Sequence, residues 1–393
     1  MSSERKKILW LCSWYPVKTA PFNGDFIQRH ARAAALYNDI YVICVTGDES
    51  RSLQHTEKVI TRSAGLTEHT VLYKRSASWP GRVLSHMRFL FLSRQAIRRY
   101  MVEHGKPDLV HVQVPMKAGL QALWLKKKSG IPYLVTEHWG IYNEVVSDHY
   151  LRRSSFFRRT TKKIFSQAAG FTSVSRYLAE AVNRMVIKKD YTITRNVVDT
   201  RLFFPGYNKQ PGFRFIHVSN MVPLKNAEGI LSAFRLFLEK GNDAILIMIG
   251  DTDPAARQKA AGLNLPREKV QFRGEIPYEG VAAEMQEADC LVLFSDIENS
   301  PCVIGEALCC GLPVIATNTG GIPELVDKQN GILVEPRNEP ALAAAMEDML
   351  KHRGRYDREQ VAREARNLFS YDTIGKQLDD LYSNLAGPEN TPR

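Results

Sequence analysis

The chain is predicted to be an α/β protein of two doubly wound domains, and three observations carry that prediction. At 393 residues it is long enough for two domains, each with its own core. Short β-rich apolar runs alternate with helical periods along nearly its whole length, as in buried parallel sheets with crossover helices. The clearest unit is residues 290–321, where an apolar strand (Cys290–Phe294), a polar turn (Ser295–Asn299), a helix (Cys302–Cys310) stopped by Gly311, and a second buried strand (Val314–Thr317) follow in order.

That unit also points to chemistry. Ser300-Pro301 is predicted to start the helix, with the hydroxyl at the N-cap and proline at N1. A helix that begins at the carboxyl end of a strand offers its N–H groups and positive dipole end to an anion. Two carboxylates flank the place, Glu298 in the turn and Glu306 in the helix, with seven residues between them. Glu306 lies among Val303, Ile304, Ala307 and Leu308, and helical side chains lean toward the N-terminus, so it is expected to face the same site. Such a carboxylate needs a partner; ligand hydroxyls or a lysine would each serve.

These residues resemble the Glu-x7-Glu donor motif of family-4 retaining glycosyltransferases. The likeness continues into Gly311–Thr317 (G-x-P-V-I-A-T) and Gly320–Val326 (G-G-x-x-E-x-V). It implies the GT-B architecture, two facing Rossmann-like domains with a deep interdomain cleft that binds a nucleotide-sugar. Asn196-Val197-Val198-Asp199 resembles the family's P-N-G-V-D junction, with Arg195 and Val197 in place of the proline and glycine. Ser219–Asn226 resembles G-R-L-x-x-x-K-G: Lys225 matches, whereas Asn220 stands where the family's arginine would add a second charge against the diphosphate. Arg273 or a basic residue of the first domain is a candidate replacement.

The resemblance implies a role for each matching residue. Glu306 would hold ribose hydroxyls; Glu298, with the backbone of Asn299, Ser300, Pro301 and Cys302, would fix the sugar. Lys225 and Asn220 would meet the diphosphate, Gly24 would belong to a loop closing over it, and Ile276, in Gly274–Pro277, would lie where backbone meets the nucleobase. His138, in Thr136–Gly140 at the end of a strand, would position the sugar and the developing bond, with Glu137 and Trp139 on the acceptor side. The implied catalytic set is His138, Lys225 and Glu298. No DxD-like or clustered metal-ligand pattern stands out, so no metal or other cofactor is expected.

Along the first half, Lys7–Ser13, Ile40–Thr46, Leu109–Val114, Tyr133–Thr136, Phe171–Val174 and Tyr191–Thr194 are predicted strands. Asp25–Tyr37 is a predicted helix, His111 has a structural place in its strand, and residues 48–70 are predicted to be peripheral loop. In the second half, Phe213–Val218, Ala244–Gly250, Val270–Gly274 and Gly331–Val334 are predicted strands, and 339–352, 355–369 and 371–385 predicted helices. The domains are expected at 1–200 (acceptor-binding) and 201–370 (donor-binding), joined through Arg201–Gly212. Residues 371–393 would supply a helix crossing back to the first domain and a frayed tail at Pro388–Arg393.

Charge is shared unevenly. Residues 1–200 hold 32 Lys/Arg and 15 Asp/Glu, net +17; the remainder holds 21 and 27, net −6. Nucleic acid is an unsuitable partner without a binding motif. An anionic membrane surface or a phosphate-bearing acceptor fits the basic half better. Arg82–His104, with Arg88, Arg94, Arg98 and Arg99 among apolar residues, and residues 152–165 both suit a bilayer interface; they suit equally a helix packed on a sheet with solvated arginines. The six cysteines lack zinc spacing and suit buried thiols in a reducing cytosol. No signal peptide or apolar stretch of about 18 residues is seen, so the chain is expected not to span a membrane and to be cytoplasmic, with a peripheral place on the inner face of the plasma membrane as the option that the basic helices leave open. The expected activity is transfer of a sugar from a nucleoside diphosphate sugar to a sugar, glycolipid or other acceptor in envelope polysaccharide, lipopolysaccharide or glycolipid synthesis. A nucleotide-sugar epimerase of the same fold and a non-catalytic, membrane-associated nucleotide-binding subunit are the alternatives.

Overall fold

A computed structural model describes residues 5–50, 53–75, 79–206, 211–251 and 254–386. The chain forms two units, residues 1–195 with 371–393, and residues 196–370.

In the first unit the strands are β1 (Lys7–Cys12), β2 (Asp39–Asp48), β3 (Glu57–Ser63), β4 (Leu66–Lys74), β5 (Leu109–Gln113), β6 (Tyr133–Glu137), β7 (Gly170–Ser173) and β8 (Thr192–Ile193). Their order in the sheet is β3-β4-β2-β1-β5-β6-β7-β8, parallel throughout except for the β3–β4 hairpin. The helices are α1 (Asp25–Ala34), α2 (Trp79–His104), α3 (Ala118–Ser129), α4 (Ser155–Gln167) and α5 (Arg176–Met185). Inner strands such as β1 and β5 are buried almost end to end, as parallel strands covered on both faces must be.

The segment 48–70, expected to be loop, instead supplies β3 and most of β4. β4 pairs with β2 from Ile40↔Leu66 to Asp48↔Lys74 and buries Leu66, His69, Val71, Leu72 and Tyr73. The polar composition that hid it belongs to β3, the edge strand, which is largely exposed.

The second unit contains β9 (Arg214–Val218), α6 (Ala227–Glu239), β10 (Ile245–Ile249), α7 (Ala255–Gly262), β11 (Val270–Gly274), α8 (Tyr278–Gln286), β12 (Cys290–Leu293), α9 (Cys302–Cys309), β13 (Val314–Thr317), β14 (Gly331–Val334), α10 (Glu339–Lys351) and α11 (Arg358–Phe369). Its six strands are all parallel, in the order β11-β10-β9-β12-β13-β14. Phe215, Phe234 and Phe237 are fully buried in its core.

The last helix, α12 (Tyr371–Ala386), belongs to the first unit and packs on α1. A Cβ at Gly375 would come within 2.4 Å of the Ala33 carbonyl oxygen, so this contact needs glycine. Lys6–Asp379 (2.9 Å) and Tyr37–Asp372 (2.6 Å) secure it.

The passage between units lies at 195/196, five residues before the expected boundary. The Asn196–Asp199 segment is already part of the second unit, where Asn196 Nδ2 donates to the Ser300 carbonyl (2.7 Å) and the Val198 N–H to that of Phe369 (2.9 Å). Of the expected linker, residues 207–210 lie outside the described residues, as do Pro388–Arg393 of the expected tail.

Candidate functional site

Each sheet has one place where successive crossovers diverge, leaving a crevice at the carboxyl ends of two neighbouring strands. Ligands of open α/β sheets bind there. In the second unit the two strands are β9 and β12.

The loop after β9 carries Asn220 and Lys225; the turn after β12 carries Glu298. Lys225 Nζ donates to Glu298 Oε1 at 2.5 Å, and the Ser295 hydroxyl reaches the same oxygen at 2.8 Å. The pair is mostly shielded, with the side chains 25% and 11% exposed. The Asp296 N–H donates to the Leu224 carbonyl (2.8 Å) and joins the two loops. The loop after β9 includes left-handed backbone at Met221 (φ 49°) and Asn226 (φ 48°). The Ser219 hydroxyl holds it by accepting from the Met221 N–H (3.0 Å) and pairing with His217 Nε2 (2.8 Å). His217 donates through Nδ1 to the Val292 carbonyl (2.9 Å), and burial pushes its pKa down to about 4.

Gly320 (φ 56°) and Gly321 press on the turn from the other side. The Gly321 N–H donates to the Glu298 carbonyl (2.9 Å), and a Cβ on Gly320 would stand 2.0 Å from that oxygen. Gly320 therefore has a steric purpose, and Gly321 a hydrogen bond to give.

The helix start differs from expectation. Pro301, with extended backbone (φ −69°, ψ 121°), is itself the N-cap of α9, and no side chain caps the helix. Ser300 contributes its carbonyl to Asn196. Glu306 is buried inside α9, as expected, yet it has a protein partner: the Tyr278 hydroxyl donates to its Oε1 at 2.9 Å. Tyr278 is in turn packed on Phe203, ring centroids 4.9 Å apart. Asn299, Cys302 and Ile276 are half-buried, while Asn220 is exposed.

Gly274, before Ile276, is anchored by Asp251, whose Oδ1 accepts its N–H (2.8 Å). Arg273 is engaged by Glu284 (2.7 Å) and Gln271 (3.0 Å), so its charge is already answered locally and it is a weak substitute for the arginine absent at Asn220.

In the first unit the corresponding crevice lies between β1 and β5, with the end of β6 beside it. Gly24 is the N-cap of α1 at φ 78°; a side chain there would press on the Trp14–Tyr15 backbone at 2.8–2.9 Å. The exit of β5 stores backbone strain, since Val114 (φ 63°) and Lys117 (φ 70°) are non-glycine residues at positive φ. The Ser13 hydroxyl pins this turn at the Val114 carbonyl (2.7 Å) and the Ala118 N–H (3.2 Å).

His138 is buried, with Nε2 at 2.9 Å from Gln113 Oε1. Burial, with His30 and His111 adding to it, holds its pKa well below the usual histidine range, so the ring is neutral. Glu137 departs from its expected acceptor-side place. It is fully buried, its Oε1 accepting from the N–H groups of His138 and Trp139 (both 2.9 Å) and its Oε2 from the Tyr142 hydroxyl (2.8 Å). It shapes the loop that carries His138, and burial pushes its pKa up to about 7 against those three hydrogen bonds. Trp139 remains half-buried, edge-on to Trp14 (5.6 Å) and with the Arg153 guanidinium 5.3 Å above its ring. His111 has the structural place expected of it, buried in β5 with both ring nitrogens bonded.

Gln113, Tyr278, Asp251 and Trp14 carry no spacing that would have marked them, because each acts through a contact distant in sequence; Ser295 lies only three residues before Glu298, in the polar turn, where a serine is unremarkable. All six cysteines are free thiols; Cys302 is half-buried and the other five are buried. Among the described residues no three His, Cys, Asp or Glu side chains cluster as a metal site.

Comparison with known proteins agrees with this architecture. The family profile of glycosyl transferases group 1 matches residues 200–368, and that of glycosyltransferase family 4 matches residues 31–202. The chain is 24% identical to the Bacillus subtilis teichuronic acid biosynthesis glycosyltransferase TuaC, over 95% of each chain. It is 28% identical to N-acetyl-alpha-D-glucosaminyl L-malate synthase of Bacillus anthracis, over 71% of this chain and 75% of that one. Among solved structures, sucrose-phosphate synthase of Thermosynechococcus elongatus superposes with a TM-score of 0.75 at 20% identity, covering 97% and 99% of the two chains. Anabaena HepE in complex with UDP superposes with 0.71 at 18% identity, covering 96% and 100%. Two parallel-sheet α/β units, a split of the family profiles near residue 200 and these relatives place the chain in one family: it is a group 1 glycosyltransferase of the GT-B fold.

Proposed function

We propose that the protein transfers a hexosyl group, with retention and without a metal, from a nucleoside diphosphate sugar to an acceptor hydroxyl in envelope polysaccharide or glycolipid synthesis. The observation that carries this is the Lys225–Glu298 pair in the crevice between β9 and β12, beside the uncapped start of α9. Donor binding would exchange partners within the pair: Lys225 would turn to the diphosphate and Glu298 to the sugar hydroxyls. The N–H groups from Asn299 to Cys302, Asn220 and the Gly24 loop would share the leaving-group charge. Glu306 would accept from the ribose with Tyr278 holding it in place, and Ile276 would lie against the base. In the front-face course the acceptor oxygen bonds to the anomeric carbon as the bond to the diphosphate breaks, and the acceptor proton passes to the departing phosphate oxygen. His138 would position the sugar as a neutral group, and Trp139 would flank the acceptor.

HepE has been solved with UDP-glucose, and TuaC is named for teichuronic acid biosynthesis, which favours a nucleotide-sugar donor and a polysaccharide product here. For an acceptor at a membrane the support is a surface feature of the first unit. Val83, Leu84, Met87 and Phe91 are exposed on α2 while Phe89, Leu92, Ala96 and Ile97 pack inward, so the helix has an apolar stripe to spare. On α4, Phe156 is 67% exposed, and Arg159 and Lys163, three and seven residues on, are exposed too. Among the described residues no helix is long and apolar enough to cross a membrane.

A thermal-shift screen with UDP-, GDP- and ADP-sugars tests donor binding, because a ligand of the folded state raises its apparent stability. The expected result is one base preferred, with the shift lost in Lys225→Ala; no shift with any donor would overturn the reading. Sugar NMR with donor alone separates an epimerase, which would convert it without acceptor. Sedimentation with anionic vesicles at low salt is expected for the wild type and should be lost in Leu84→Ser/Phe91→Ser/Phe156→Ser.

A further inference from the structure

A chain of buried polar groups runs from the last helix to His138. Tyr382 on α12 places its hydroxyl 2.8 Å from His111 Nδ1, and His111 Nε2 lies 2.6 Å from the Thr136 hydroxyl. The side-chain nitrogen of Gln113 sits against the same ring, 3.1 Å from Nε2 and 3.4 Å from Nδ1. Its oxygen lies 2.9 Å from His138 Nε2. None of these five residues is more than 8% exposed, so water does not substitute for a missing partner cheaply.

The chain has a direction. An amide donates only from nitrogen and accepts only at oxygen. A neutral imidazole between Tyr382 and Thr136 presents electron density to whatever lies against it, so the amide N–H groups face His111. The oxygen then faces His138, and only an N–H satisfies it there. We infer that Gln113 is a positioning residue that fixes His138 as the neutral tautomer with its proton on Nε2 and its lone pair on Nδ1, and that Tyr382, through His111, fixes Gln113. The ionisable groups facing His138 are His30 from α1 (ring centroids 5.6 Å apart), His111 from β5 and Glu137 from β6. Burial first, and the two histidines after it, oppose a charge on it, and Glu137 turns its carboxyl to backbone N–H groups. If His138 meets the sugar, which rests on the transferase reading, it does so as a neutral hydrogen-bonding group and not as an imidazolium acid.

The test is long-range 1H–15N correlation spectroscopy of the full chain carrying labelled histidine, without donor or acceptor, with His138→Asn used to assign the His138 signals. In the wild type, Nε2 should be protonated and Nδ1 unprotonated from about pH 5.5 to 8, with no titration. Gln113→Glu sets a carboxylate against the same N–H and should raise the His138 midpoint by about 1–3 pH units relative to Gln113→Leu. Gln113→Leu itself should mix the two tautomers, and Tyr382→Phe should do so to a smaller extent. A wild-type proton on Nδ1, titration near the ordinary histidine value, or unchanged His138 signals in Gln113→Leu would overturn the assignment. Melting curves establish that each variant is folded, and Gln113→Leu alone decides the matter if Gln113→Glu is not. Because no substrate is present, the spectra judge the tautomer. An Nε2–H tautomer together with unimpaired transfer by His138→Asn would count against the transferase role of His138 and leave the tautomer standing.

Discussion

The two crevices stand at the same topological position in similar sheets, and they are furnished in opposite ways. Between β9 and β12 the groups are charged, in short contact and partly open: Lys225, Glu298, Ser295 and the uncapped start of α9. Between β1 and β5 they are neutral and buried: His30, His111 and His138 all lie below the usual histidine range, and the backbone at Val114 and Lys117 is strained. On the proposed reading the charged crevice would answer a phosphate, which needs counter-charge and N–H groups, and the neutral one would hold an acceptor hydroxyl still and away from water. One fold supplies both because the loops after the strands, not the strands, decide the furnishing.

The contrast can be broken by experiment. Removing either member of the charged pair should have the largest effect. Lys225→Ala and Glu298→Ala should each lower kcat by about 10²–10³-fold. The double variant should fall well short of the product of the two losses, as for groups acting as a unit. Turnover within threefold of wild type in both would remove the pair from the site.

Gly320→Ala should come next. A methyl 2.0 Å from the Glu298 carbonyl, on backbone at φ 56°, is expected to cost roughly 2–4 kcal/mol of stability and to disturb donor binding more than overall secondary structure. Chemical denaturation alongside the donor thermal shift checks both parts.

Glu137 sharpens the neutral side. Its folded pKa, about 7, lies above the unfolded carboxylate value, so the folded state holds its proton more tightly. The stability linked to that proton is complete at low pH and is lost as pH rises from about 4.5 to 7, by something on the order of 2–3 kcal/mol. Glu137→Gln should flatten this slope in urea melts across that range; an equally steep slope in the variant would show that other groups set it.

The smallest effect is expected of Tyr278→Phe. Losing the hydroxyl from a buried carboxylate should cost about 1–2 kcal/mol, read as weaker nucleotide binding with little change in kcat once donor is saturating.

The charged crevice was legible in the sequence and the neutral one mostly was not. Glu298 and Glu306 are separated by one turn and part of one helix, so local spacing placed both at one crevice; Gly320 and Gly321 entered only through the family resemblance, and their contact with Glu298 comes from the structure. Lys225 was found through the loop pattern in which it sits. The contact that unites Lys225 with Glu298 spans 73 residues, and no spacing announces it. His138 was visible as a polar residue at a strand end. Its setting draws on Gln113, 25 residues away, and on His111, which is held by Tyr382 from 271 residues further along the chain, each unremarkable in its own neighbourhood. Glu137 was misplaced because a carboxylate at a strand end usually points outward; three donors from the next five residues fold it inward. Ser300 failed as the N-cap because Pro301 keeps extended backbone, which moves the first helical residue to Cys302.

The packing of α12 on α1 has a consequence for biosynthesis. The first unit is assembled from both ends of the chain, so a ribosome that has made β1 to β8 has not made all of that unit. Residues 196–370 emerge whole and can collapse around their own core while the earlier segment still waits for Gly375 and Tyr382. The half translated first is therefore the half finished last, and a stop codon just after Ser370 would damage the beginning of the protein.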